Sequence, residues 1–108
     1  MLRDTEKASV VVTNPTHFAV ALQYELDMEA PIVVAKGRDL LAQEIKEVAR
    51  WHGVPVLENP PLAQALYRSV EVGRPIPAAL YAAVAEILAF VFRAQARARQ
   101  AAGGLATR

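Results

Sequence analysis

The stretch VVVTNPTHFAVAL, residues 10–22, contains two apolar runs that flank the dipeptide Asn14-Pro15. The β-branched residues of SVVVT (9–13) predict a strand. In FAVALQY (18–24) both alternating sets of positions are apolar, which is typical of a strand covered on both faces of a sheet. Proline lacks an N–H and favours an extended residue before it, so the dipeptide ends the first strand. The stretch therefore predicts two buried strands joined by a short turn.

Downstream of this hairpin, the sequence predicts a third strand, a helix, a fourth strand and two more helices. The segments are PIVVAKG (31–37), LLAQEIKEVARWH (40–52), VPVLE (54–58), LAQALYRSV (62–70) and a helix beginning near Pro77. We expect the side chain of Asp39 to cap the first helix and Gly53 to end it. This order predicts an α/β fold, a small mixed β-sheet of about four strands with helices packed around it. The third and fourth strands are far enough apart for a parallel crossover.

Apolar stripes on two helices indicate which faces pack on the sheet. The stripe of the first helix comprises Leu41, Ile45, Val48 and His52, and that of the last comprises Leu80, Val84, Ile87, Leu88 and Val91. At the end of the first helix, Trp51 and His52 are expected to form a half-buried aromatic anchor. The apolar run 78–92 would span roughly 22 Å, short of a ~30 Å hydrocarbon core, and Glu86 interrupts it. It therefore predicts a core helix.

The composition fits one domain and excludes several functions. The chain has 108 residues, 54% of them hydrophobic, which is ample for a packed core. Its net charge of +1 gives no electrostatic basis for binding nucleic acid. The absence of cysteine excludes disulfides and thiolate chemistry, and two histidines without a cluster argue against a structural metal. No cofactor loop or catalytic triad for a turnover enzyme is visible, and no cofactor is expected.

Asn14-Pro15 has two interpretations. In most proteins such a pair marks only a turn. Alternatively, the side-chain nitrogen of Asn14 attacks the carbonyl carbon of the same residue, closes a succinimide and expels Pro15 as a free amine. Deamidation normally competes through the next backbone N–H, which proline lacks, so cyclisation here can only cut the chain. Such intramolecular attack reaches effective molarities of ~10⁵–10⁸ M when the fold orients the two groups.

Three neighbouring side chains are candidates to assist this reaction. Thr16 is expected to hydrogen-bond within the turn. His17 is a candidate for proton transfer, because histidine exchanges protons readily near neutral pH; the alternative is a ring that packs against or caps the turn. Lys36 is a candidate to stabilise charge on the carbonyl oxygen, and the alternative is a solvated surface lysine.

The motif Asn-Pro-Thr-His (14–17) occurs with the blocks VVAKG (33–37), ENPPLAQALYRSVEVG (58–73) and IPAALYAAVAEILAFV (76–91). With these blocks in register, the chain resembles the cytoplasmic domain of the FlhB/SctU family of type III secretion export switch proteins. The resemblance runs from about Ser9 to Arg93. The last two blocks resemble the flagellar branch more than the injectisome branch.

The resemblance implies a domain organisation and a location. Residues 1–8 would be the remnant of a linker helix from an absent upstream membrane domain, 9–93 the autocleaving export-switch domain, and 94–108 a flexible basic tail. The chain would then be an excised domain that begins at an introduced methionine. The full-length protein would lie in the bacterial inner membrane with this domain at its cytoplasmic face.

The resemblance also implies a function. Family members cut themselves once between Asn14 and Pro15, keep both pieces in one fold, and switch flagellar export from rod and hook proteins to filament proteins. Expected partners are export apparatus components such as an FlhA-type cytoplasmic domain, a hook-length ruler protein, export substrates and the upstream membrane domain, with no nucleic acid. The alternatives are the injectisome counterpart and a substrate-binding module that does not cleave.

Small residues predict where a partner binds. Ala85 and Leu88 on the last helix, together with Ala30 and Pro31, are candidates for a shallow partner-binding patch. The alternative is that this helix face only packs on the sheet.

Overall fold

A computed structural model describes residues 1–106 of the chain and the side chains of residues 1–103. The elements are β1 (Val10–Asn14), β2 (Phe18–Gln23), β3 (Ile32–Arg38), α1 (Asp39–Trp51), β4 (Val56–Glu58), α2 (Pro60–Ser69) and α3 (Tyr81–Ala106). Two 3-10 helices accompany them, Leu2–Lys7 before β1 and Ala78–Leu80 before α3. The order of strands and helices predicted from the sequence is confirmed.

The four strands form one mixed sheet in the order β3-β2-β1-β4. Strand β1 pairs antiparallel with β2, from Val10 opposite Leu22 to Asn14 opposite Phe18. It pairs parallel with β4 on its other side, and β2 pairs antiparallel with β3. Strands β3 and β4 are therefore parallel and lie at opposite edges, as the predicted crossover requires. The hairpin of β1 and β2 occupies the centre of the sheet.

Helices cover both faces of the sheet. On one face, α2 and α3 pack against the hairpin and β3; buried residues there include Val10, Val12, Val20, Leu22, Val33, Leu66, Val84, Leu88 and Val91. On the other face, α1 packs against the sheet; buried residues there include Val11, Ala19, Ala21, Ala35, Ala42, Ile45 and Ala49. Consecutive valines of β1 thus point into different cores, which explains why its sequence does not alternate.

Two expectations at the ends of α1 are wrong. Asp39 is the first residue of the helix, has φ +54° and makes no capping hydrogen bond through its side chain. Trp51 is 86% exposed and is not a half-buried anchor. His52 instead places its Nε2 3.8 Å from Oε1 of Glu6 in the N-terminal 3-10 helix. Gly53 has φ +72°, the left-handed conformation expected after a helix.

The buried face of α1 is rotated from the predicted stripe. Its buried residues are Ala42, Ile45, Lys46 and Ala49, whereas Leu41 and Val48 are only partly buried. Small residues on this face let the helix lie close to the sheet. The rotation also brings a lysine beneath the helix, near the turn between β1 and β2.

The apolar stripe of α3 is confirmed, since Val84, Leu88 and Val91 are buried in the core. The helix continues beyond Arg93 to Ala106, further than its apolar face, whereas fraying was expected from Arg93. Residues 107–108 of the predicted tail lie outside the described residues. By length and composition alone, residues 78–103 would suffice to cross a membrane, and 17% of the most apolar window is buried, so α3 packs on the sheet through one stripe and leaves most of its surface exposed.

Candidate functional site

The turn between β1 and β2 presents the Asn14–Pro15 bond at one end of the sheet. Pro15, Thr16 and His17 are exposed, and Asn14 and Phe18 form the last pair of the hairpin. The backbone N–H of His17 donates a hydrogen bond to the carbonyl oxygen of Asn14 at 2.9 Å. The carbonyl that cyclisation would attack therefore already faces a fixed donor.

The side chain of Asn14 is less constrained than its backbone. Within the part of the chain that the structure describes, the amide group of Asn14 makes no hydrogen bond to another protein group. The residue is partly exposed. Its amide is thus free to rotate toward its own carbonyl carbon, while the ladder holds the carbon in place.

Hydrogen bonds and ring stacking hold both strands at the turn. On the β1 side, the N–H of Asn59 donates to the carbonyl of Thr13 at 2.9 Å. On the β2 side, the ring of Phe18 stacks on that of Tyr67, with centroids 4.6 Å apart. The turn therefore projects from two strand ends that are each fixed by a neighbouring element.

The start of α1 contacts the turn through the backbone. The N–H of Asp39 donates to the carbonyl oxygen of His17 at 3.0 Å. Asp39 adopts its positive φ at this point, a conformation that is uncommon for residues other than glycine and tends to occur at functional sites. The backbone of α1 thus anchors the last residue of the turn.

Lys46 contacts the middle of the turn and was not identified from the sequence. Its side chain is only 8% exposed, and its Nζ donates to the carbonyl oxygen of Pro15 at 3.3 Å. The available signal was its helical spacing to two alanines, because Lys46 follows Ala42 by four residues and precedes Ala49 by three. A lysine at an inward helical position needs a polar partner, and here the partner is the turn.

The other predicted site residues lie in different surroundings. Thr16 Oγ1 and His17 Nδ1 are 2.6 Å apart, so Thr16 does hydrogen-bond within the turn. The ring of His17 is exposed, and its centroid lies 6.0 Å from that of Phe18. Lys36 is partly buried, and its Nζ donates to the carbonyl of Tyr67 at 2.8 Å. Lys36 is therefore not the solvated surface lysine of one prediction, and its hydrogen bond does not go to the Asn14 carbonyl as the other prediction required.

The four candidate partner-binding residues line one groove of about 380 Å³. Ala30 and Pro31 form one wall and Ala85 and Leu88 of α3 another. The remaining lining residues are mostly apolar or aromatic: Tyr24, Glu29, Ile76, Tyr81, Ala89 and Phe92. Since Tyr24 follows the far end of β2, the groove and the turn are separated by the length of that strand, about 20 Å.

The described residues offer no cluster of metal-ligating side chains. Among residues 1–106, no group of three or more histidine, aspartate or glutamate side chains is arranged to hold a metal ion.

Comparison with known proteins identifies the family. The model of the FlhB HrpN YscU SpaS family matches residues 1–91. The chain is 60% identical over 94 residues to the flagellar biosynthetic protein FlhB of Salmonella typhimurium, and covers 24% of that protein. It is 47% identical to FlhB of Bacillus subtilis, again over 94 residues, and covers 26% of it. These matches include 86% of the present chain. It belongs to the FlhB HrpN YscU SpaS family and spans about a quarter of the length of these relatives.

Solved structures of the family have the same fold. The cytoplasmic domain of FlhB from Shewanella putrefaciens matches with a TM-score of 0.86 and 38% identity, covering 92% of this chain and 77% of that one. A mutated C-terminal domain of EscU matches with a TM-score of 0.80 and 32% identity, covering 83% of this chain and 91% of that one. The fold is thus that of the cytoplasmic domain of this type III export family.

Proposed function

We propose that this chain is the export-switch domain of a flagellar type III export protein, which cuts itself once between Asn14 and Pro15. The observation that carries the proposal is the hydrogen bond from His17 N–H to the Asn14 carbonyl at 2.9 Å. Negative charge develops on this oxygen when the Asn14 amide attacks, and a donor at about 2.7–3.1 Å stabilises it without reorganisation. The turn thus supplies an oxyanion site from its own backbone.

The cut needs no outside reactant. The Asn14 side-chain nitrogen bonds to the carbonyl carbon of the same residue, and the bond from that carbon to the Pro15 nitrogen breaks. The proton lost by the amide ends on the Pro15 nitrogen, with His17 as the candidate carrier and water as the alternative. Water later opens the succinimide. The expected products are a fragment of residues 1–14 and a fragment that begins at Pro15.

The fold supports retention of the short fragment after the cut. Val10, Val11 and Val12 of β1 are completely buried, and each buried valine contributes roughly 1.5–3 kcal/mol. Strand β1 also pairs with β2 and β4 on its two sides. These contacts do not include the bond that is cut. The two fragments should therefore co-elute in native chromatography and separate only under denaturing conditions.

The proposed role of the cut is to switch export from rod and hook proteins to filament proteins, at the cytoplasmic face of the inner membrane. The test places Asn14→Ala in the full-length protein of a flagellated bacterium. We expect hook proteins still to be exported and filament protein to be lost from the culture medium. Normal filament assembly by a chain shown to be uncut would instead favour the alternative of a non-cleaving binding module.

The groove is the proposed binding site for export substrates. Its apolar and aromatic lining suits an apolar side chain of an extended or helical segment. Ala85→Arg should block the groove and abolish binding of a hook-protein N-terminal peptide, measured by titration calorimetry. Ala82→Arg is the matched control, because Ala82 is exposed on the same helix and does not line the groove. Equal binding by both variants would contradict this assignment.

An injectisome counterpart remains the second candidate, because the same family includes both branches. Similarity to flagellar relatives favours the flagellar role: identity is 60% to FlhB of Salmonella typhimurium and 57% to FlhB of Escherichia coli. Complementation of a strain lacking its flagellar FlhB distinguishes the two. Restored swimming supports the flagellar role.

A further inference from the structure

Lys46 has surroundings that packing alone does not explain. It is 8% exposed and lies on the face of α1 that carries Ala42, Ile45 and Ala49. In the described part of the chain, no carboxylate pairs with its ammonium group. Its hydrogen bond there goes to the Pro15 carbonyl. Because an unpaired buried ammonium group is costly, this arrangement favours a role at the turn.

We propose that Lys46 is a positioning residue of the cleavage site, which holds Pro15 in the uncut chain and repels it after the cut. The inference rests on the proposed cleavage between Asn14 and Pro15. It concerns the movement of the turn, which the cleavage chemistry alone does not specify.

Before the cut, the attraction is between a cation and a neutral peptide group. The Lys46 ammonium faces the negative end of the Pro15 carbonyl dipole at 3.3 Å. Together with the bond from Asp39 N–H to the His17 carbonyl, this contact fixes the exposed turn against α1 at two points. Loss of either contact should make the turn more mobile.

The cut changes the charges that face Lys46. The bond between the Asn14 carbonyl carbon and the Pro15 nitrogen breaks, and the amide proton passes to the Pro15 nitrogen. This new α-amino group takes a second proton from water and is largely positive at pH 7. Hydrolysis of the succinimide leaves one carboxylate at residue 14. A neutral peptide bond thus becomes two opposite charges beside the ammonium group.

Distance makes the new repulsion effective. The Pro15 nitrogen is three covalent bonds from its carbonyl oxygen, and Lys46 Nζ is 3.3 Å from that oxygen. The two positive nitrogens therefore begin within about 7.5 Å of each other. This is less than the Debye length of about 8 Å at physiological ionic strength, so salt screens the repulsion only in part. The carboxylate at residue 14 attracts Lys46 toward the end of β1, and both effects release Pro15.

The proposal predicts opposite effects of one substitution in the two states. The heteronuclear ¹H–¹⁵N NOE of the Thr16 and His17 amides reports their mobility. In an uncut Asn14→Ala chain, Lys46→Met should lower this NOE because the contact with Pro15 is lost. In the fully cut chain, the same substitution should raise the NOE because the repulsion is lost. Lys46→Arg keeps the charge and should match lysine in both states.

The control is Lys7→Met, which removes a lysine of the N-terminal 3-10 helix that pairs with Asp4 and precedes the end of β1 opposite the turn. It should leave the NOE of the turn unchanged in both states. Lys46→Gln replaces Lys46→Met if the latter does not fold. Changes of the same sign in both states, or no change in either, would overturn the proposal. Intact mass records separately whether the wild-type chain cuts, so a whole wild-type chain refutes the proposed function itself.

Discussion

The chain contains two Asn-Pro pairs, and the fold places them side by side. Asn14 ends β1, and Asn59 directly follows the neighbouring strand β4, with its N–H bonded to the carbonyl of Thr13. At the second pair, the Asn59 side-chain oxygen accepts the N–H of Leu62 at 3.3 Å. Its carbonyl accepts the N–H of Ala63 at 2.9 Å, the first bond of α2. Asn59 is thereby held as a helix cap.

The comparison shows that the dipeptide alone does not determine reactivity. Proline closes the deamidation route at both sites. The Asn59 amide plane is fixed by its capping bond, whereas the Asn14 amide has no such bond within the described residues. Both attacked carbonyls accept a backbone N–H at 2.9 Å, so the difference between the two sites lies in the side-chain amide. Cleavage is therefore expected at the first pair alone.

The largest expected effect separates the two asparagines. Asn14→Ala should abolish cleavage, because it removes the nucleophile. Asn59→Ala should leave cleavage at the wild-type rate. Denaturing mass spectrometry over several days measures both variants. Equal loss of cleavage in the two would show that the pairs act together and would contradict the comparison.

The next effect concerns the two prolines. Pro15→Ala restores a backbone N–H after Asn14, so deamidation competes and most chains should stay whole with a small gain in mass at Asn14. Pro60→Ala should not change the cleavage between residues 14 and 15. Peptide mapping locates the deamidated residue. A Pro15→Ala chain that cuts as fast as wild type would contradict the expected competition.

A smaller effect is expected from the imidazole of His17. His17→Ala keeps the backbone N–H that faces the Asn14 carbonyl but removes the hydrogen bond with Thr16. We expect cleavage to slow by about 2- to 10-fold, the equivalent of one hydrogen bond of about 0.5–1.5 kcal/mol. Loss of a general acid or base would cost about 10²–10⁴-fold. A loss of that size would assign proton transfer to the ring.

The smallest effect concerns stability at the second pair. Asn59→Ala removes the N-cap of α2 and should lower the free energy of unfolding by about 1 kcal/mol. Asn59→Ser is the matched control, because serine caps helices comparably. Urea unfolding of both variants, made in the uncut Asn14→Ala background, measures the difference. An unchanged stability in Asn59→Ala would remove the explanation for why this amide is held.

Local sequence patterns were sufficient to predict most of the fold. The β-branched run 9–13 and the two-sided apolar run 18–24 predicted the central hairpin, because burial on both faces leaves this signature in sequence. Gly53 and Pro77 correctly marked the boundaries of helices. The resemblance to the export family, carried by blocks from 14–17 to 76–91, correctly identified the domain.

Details that depend on tertiary packing were not predicted. The backbone of Asp39 is set by its bond to His17 rather than by a capping preference. Trp51 is exposed because α1 turns its alanine face to the sheet. The contact of Lys46 with the Pro15 carbonyl could not be predicted without knowing that this face lies under the turn. The motif therefore predicts the candidate site, whereas the residues that contact it come from distant segments.

The most direct test is the intact mass of the aged wild-type protein under denaturing conditions. If only the first Asn-Pro pair is reactive, two fragments are expected, one that ends at Asn14 and one that begins at Pro15. The bond between Asn59 and Pro60 should be intact in every molecule. A single full-length mass after days at neutral pH, or a fragment ending at Asn59, would contradict this expectation.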